Sequence, residues 1–172
     1  MIGMTTALML LTGQATAPAA AKADDPSKVD SVTVTASGKT VRLPPWSREV
    51  RGIGWPFLGV GEDKMVLMFA KTGQTPPGAA YQRVWVRHEF RLPQTEREVT
   101  PHFTYRSERL SQDVDCAARA YRSLTAYRYP DNNLTGEPVA FDFENRDWIR
   151  PEAGTFDETV LEAACMKPEA GG

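Results

Sequence analysis

The residues able to carry acid–base or nucleophilic chemistry are few and dispersed. His88 and His102 are the only histidines, fourteen positions apart, and that spacing makes none of the helical i, i+4 pairs that ligate zinc or arm a metalloprotease. Serine and aspartate are plentiful, but no G-x-S-x-G elbow, phosphate loop or dinucleotide-binding glycine pattern occurs. Cys116 has no histidine within ten residues. The expectation is a non-enzymatic protein without a cofactor. The alternative is an enzyme, or a calcium-dependent module, whose site is assembled from residues distant in sequence. Calcium enters because Asp131-x-Asn133-x-Thr135-Gly136 followed by Asp142 repeats the oxygen spacing of a calcium loop. Its flanks are strand-like, however, and an aspartate stands where such loops carry a bidentate glutamate. A hairpin loop explains the same residues, so no metal is expected there.

Binding chemistry is better represented. Arg83, Arg87, Arg119, Arg122 and Arg128 are interleaved with Trp85, Tyr121, Tyr127 and Tyr129. Mixed guanidinium groups and aromatic rings stack and reach anions, which suits single-stranded nucleic acid or the hot spot of a protein interface. A formal net charge of −2 disfavours nucleic acid, whose binders concentrate positive charge. Arg119, Tyr121, Arg122, Tyr127 and Arg128 form the candidate ligand-binding surface, with a protein or an extracellular-matrix component as partner. The competing account is structural: strands with one core face and one solvated, salt-bridged face.

Strands must display these residues. Lys64 to Ala70 is a short apolar run, followed by a Gly/Pro connection over 72–80. Tyr81 to Phe90 alternates, with Val84, Val86 and Phe90 on one face and Arg83, Trp85 and Arg87 on the other. Phe103 to Asp115 and Arg119 to Tyr129 continue the pattern, the latter with Tyr121, Tyr127 and Tyr129 on one side. After the turn-forming stretch 131–136, Glu137 to Phe143 alternates again. Arg51 to Gly61, with four glycines, Trp55 and Pro56, predicts loop. At the C-terminal end Thr155 and Glu158 make a capping-box pattern, and Phe156, Val160, Leu161 and Ala164 recur at helical spacing. Consecutive strands with short turns give a meander. The predicted class is therefore α+β: a bent antiparallel sheet with a C-terminal helix on one face.

Residues 1–23 have the layout of a signal peptide, with an apolar stretch from Met4 to Leu11 and small-residue cleavage sites after Ala17 and Ala23. The run is shorter than the roughly 20 residues that cross a bilayer. It also lacks a basic leader, since no Lys or Arg precedes Lys22. Cleavage after Ala23 leaves a polar arm over 24–50, in which Ser31 to Thr35 predicts an edge strand or an ordered arm, and a single domain over 51–167. Leu11-Thr12-Gly13 approaches a lipobox, but Gln14 stands where the acylated cysteine belongs. The predicted location is periplasmic or extracellular without a membrane anchor at that site. Two cysteines in an exported chain read first as one disulfide, Cys116 to Cys165, and otherwise as two buried free thiols.

Several of these segments together resemble the bacterial surface-adhesin E family. They are Val84-Trp85-Val86, Ser107-Glu108-Arg109 leading to Asp115-Cys116, and Arg119-Ala120-Tyr121-Arg122. The Tyr127 to Gly136 hairpin joins them, as does a Pro151 segment entering a helix that ends Ala163-Ala164-Cys165. The resemblance covers about residues 60 to 166. It implies a bent sheet with the C-terminal helix tethered to one face by the disulfide. It also implies an envelope protein, some members of which bind host matrix proteins and form homodimers. The adhesin that names the family is lipid-anchored, and Gln14 departs from that pattern.

Overall fold

The computed structural model describes residues 33–36, 39–61, 63–97 and 99–166. The segment predicted as a signal peptide lies outside these residues. Two short strands, β1 (Thr33–Ala36) and β2 (Lys39–Arg42), pair with each other as a two-stranded antiparallel sheet. The arm thus carries a hairpin of its own rather than an edge strand of the main sheet. A 3₁₀ turn over Pro45–Glu49 follows, opened by proline where a missing N–H costs nothing.

Six antiparallel strands make the main sheet. They are β3 (Phe57–Val60), β4 (Val66–Thr72), β5 (Gln82–Glu96), β6 (Phe103–Asp115), β7 (Ala120–Tyr129) and β8 (Val139–Asp142), lying side by side in chain order. This is the expected meander. One strand was not expected: the glycine-rich segment forms β3, irregularly, with its pairing to β4 shifting between Phe57 and Gly59. β5 also runs past Phe90 to Glu96. Its pairing with β6 is interrupted between Glu89 and Gln94, which accommodates Pro93, a residue with no N–H for a ladder bond.

The helix α1 (Phe156–Cys165) covers one side of the sheet. Thr155 caps it by accepting from the Glu158 N–H at 3.3 Å, while the Glu158 carboxylate accepts from the Gly154 N–H at 2.7 Å. Val160 and Leu161, almost fully enclosed, pack with Met68, Val84, Val86 and Val114 into the core. Phe156 sits at the rim of the helix and remains exposed, contrary to its expected place in the apolar stripe. The Cys116–Cys165 disulfide joins the β6–β7 turn to the last helical residue across a Cα–Cα distance of 5.5 Å. Closing a loop of 49 residues stabilises by about 4 kcal/mol in chain-entropy terms.

One irregularity governs which side chains meet. Ser111 pairs with Thr125 but Gln112 with Ser123, leaving Leu124 as an extra residue in β7. Such a bulge reverses the alternation of everything beyond it. Tyr121 and Ser123 therefore share the helix side with Val114 and Gln112, whereas Arg122, Thr125, Tyr127 and Tyr129 share the opposite side. The predicted run of tyrosines along one face is broken for this reason.

Candidate functional site

The sheet side away from the helix is built of charged and aromatic groups. Register places Trp85 opposite Ser111, Arg83 opposite Asp113 and Arg87 opposite Arg109. On the next strand Tyr127 faces Arg109 and Arg122 faces Asp113. Arg109 thereby lies between two rings, its guanidinium carbon 4.7 Å from the Trp85 centroid and 4.7 Å from that of Tyr127. Its Nε is buried and has no hydrogen-bond partner among the described residues.

Asp113 is completely enclosed, and both its oxygens are taken. Arg83 Nε donates to Oδ1 at 2.8 Å, and Arg122 donates through Nε at 3.1 Å and Nη2 at 2.9 Å to Oδ2. The hydrogen bond to Asp113 raises the Arg83 pKa against the lowering effect of burial. The carboxylate anchors the two arginines, whose side chains each remain 27% exposed. Arg122 is further flanked by Trp148 at 4.6 Å and Tyr81 at 5.3 Å. Arg83, Asp113 and Arg122 line an open pocket of about 440 Å³ together with Trp85, Tyr127 and Arg146, and with Ser111, Leu124 and Thr125.

Farther along the same side a buried polar cluster holds the 131–136 loop. Glu89, with no exposed surface, accepts from Arg87 Nε at 2.7 Å, Asn132 Nδ2 at 2.8 Å and the Asn133 N–H at 2.9 Å. Asn132 Nδ2 also reaches the carbonyls of Phe90 and Arg106. Asn133 Oδ1 accepts from the Arg51 N–H at 2.6 Å, and its Nδ2 donates to the Glu49 carbonyl. The loop with calcium-like spacing thus turns its asparagines inward to join three parts of the chain, while Asp142 accepts from Thr125 on β7. Among the described residues no group of three His, Cys, Asp or Glu side chains is placed to hold a metal ion.

The proposed surface residues separate in space. Arg122 and Tyr127 lie on the open face. Tyr121 is on the helix side, where its hydroxyl donates to Asp157 at 2.7 Å. Arg128 is there too, paired with Glu96 and Glu108 and stacked on Tyr105 at 4.8 Å and Phe141 at 4.9 Å. Burial lowers the Arg128 pKa, and desolvation raises that of Tyr105 to about 12. Arg119 is exposed in the β6–β7 turn at a φ of 50°. His88 Nδ1 lies 2.9 Å from Glu108 beneath the helix, its ring beside Phe90 and Phe156. Sequence inspection missed Arg109, Arg146, Tyr81 and Trp148. Arg109 shows only an alternating position in β6, and its placement between two rings depends on the register of three strands. Arg146 and Trp148 lie in a segment without periodicity that Ile149 ties to Tyr121 by two backbone hydrogen bonds.

Residues 55–166 match the family described as surface-adhesin protein E. No curated protein and no solved structure matches the chain.

Proposed function

Because the chain belongs to the surface-adhesin protein E family, we propose that it is a non-enzymatic, adhesion-type envelope protein that binds an extracellular-matrix component. The contact surface is the open sheet face around Trp85, Arg109 and Tyr127. The observation that supports this surface is the guanidinium group held between two aromatic rings on a side of the sheet that α1 does not cover. Trp, Tyr and Arg are the residue types that dominate binding hot spots, and strands hold them rigid before contact. Export through residues 1–23 brings the protein to the periplasm or cell exterior, where the Cys116–Cys165 bridge persists. Surface plasmon resonance of the mature protein over a panel of purified extracellular-matrix glycoproteins tests the assignment. Saturable binding to at least one member is expected, and none to any member removes the adhesion assignment. Mass spectrometry of the exported protein tests the leader: a mature chain beginning at Asp24 is expected, and an uncleaved cytosolic chain contradicts export.

A further inference from the structure

The open pocket beside the Trp85 cluster has the composition of a site for an acidic sugar. Three arginines, Arg83, Arg122 and Arg146, line it against a single carboxylate, Asp113. That carboxylate has no exposed surface and both its oxygens are occupied by Arg83 and Arg122. It therefore orients the two guanidinium groups without presenting negative charge to a ligand. Arg146 commits Nε to the Phe143 carbonyl at 3.2 Å and has no acidic partner among the described residues. What the pocket offers is positively charged N–H groups, which favour oxyanions through short, charge-assisted hydrogen bonds.

The remaining lining narrows the class of anion. Trp85 and Tyr127, which hold Arg109 between them, add aromatic surface to the lining, Ser111 adds a hydroxyl group, and Thr125 adds a hydroxyl oxygen whose own proton goes to Asp142. Stacking surface and hydroxyl partners beside guanidinium groups suit a ring bearing both hydroxyls and an acidic substituent. A volume of about 440 Å³ falls within the roughly 300–1,000 Å³ of small-molecule sites, and its openness lets a longer chain pass through.

We infer that this pocket binds an acidic saccharide through Arg83, Arg122 and Arg146, with a sugar ring against Trp85 and Tyr127. The inference rests on the open face being the contact surface, and specifies the chemistry it recognises in a glycosylated matrix. The carboxylate and the sulfate of such saccharides share the required oxyanion chemistry.

Calorimetry with four probes tests it: a uronic-acid oligomer, a heparin oligosaccharide, a neutral oligosaccharide of similar length and a polyglutamate peptide. Binding of either acidic saccharide, with no binding of the neutral one and weaker binding of the peptide, is the expected result; heparin carries carboxylates as well as sulfates, so binding of the uronic-acid oligomer shows that carboxylate suffices, and binding of heparin alone shows that sulfate is required. Arg146→Ala, which leaves the Asp113 anchor intact, should weaken that binding about tenfold or more. Arg91→Ala removes the same charge at the far end of β5 and should leave it unchanged. No binding of either acidic saccharide, equal binding of polyglutamate, or equal losses in the two variants overturns the inference. Matrix-glycoprotein binding that persists while the saccharides fail would sink this inference alone and leave the adhesion assignment standing.

Discussion

Glu89 shows how far single residues carry this structure. A carboxylate without solvent contact is costly unless every oxygen is satisfied, and here Arg87, Asn132 and the Asn133 backbone satisfy it. Glu89→Ala leaves Arg87, itself 3% exposed, without its partner, and should destabilise by about 3–5 kcal/mol. Urea denaturation checks this; a loss below about 1 kcal/mol would mean that the cluster is incidental. The tyrosines provide a pH test. Burial raises the pKa of Tyr105 from 10.0 to about 12, and burial with the Asp157 hydrogen bond raises that of Tyr121. The folded state then holds protons that the unfolded chain has released. This contribution to stability is fully present below pH 10 and is lost as pH rises through the folded values. Phenolate absorbance should show Tyr105 and Tyr121 ionising above the ordinary value of 10.0, and Tyr121→Phe should flatten the alkaline loss of stability. These partners were invisible in the sequence, since Tyr121 and Asp157 meet only once the helix lies on the sheet.

Among the elements, α1 depends on covalent help. Ten residues make a helix too short to be stable alone in water, and its buried contribution is mainly Val160 and Leu161. Reducing Cys116–Cys165 should lower stability by about 2–5 kcal/mol, with the amides of residues 156–165 exchanging before those of β5 and β6. An unchanged melting temperature on reduction would contradict this. The turn before β8 makes a second demand. Gly136 has a φ of 88°, and a side chain there would land on the Pro130 ring. Gly136→Ala should cost about 1–3 kcal/mol, measurable by thermal unfolding. The helix, its cap and the strand order were legible because capping residues and period-2 alternation are local signals. The bulge at Leu124 was not, because the residue pattern in the sequence runs through it unbroken and the extra residue appears only against β6. That is why Tyr121 and Tyr127 look like neighbours in sequence yet occupy opposite sides. β3 was missed because glycine punctuation outweighed a strand only four residues long.

At the scale of the whole molecule, the sheet divides two tasks. The helix side buries the aliphatic core and the ion pairs of Arg128. The other side presents Trp85, Arg109, Tyr127 and the Asp113-anchored arginines. The two cysteines and the α+β order could be read directly from the chain. The site could be read only as a mixture of Arg and Tyr, because its members come from three strands and the 146–148 segment. This division makes the contact surface testable by side. The measurement is the affinity for the matrix glycoprotein that the proposed function expects the protein to bind, after substitution on each side, with folding verified by circular dichroism. Trp85→Ala and Arg109→Ala on the open face should each weaken binding at least tenfold, a loss of about 1.4 kcal/mol. Glu162→Ala, exposed on the outside of α1, should leave affinity unchanged. Full affinity in both open-face variants, with loss in the helix variant, would contradict the account.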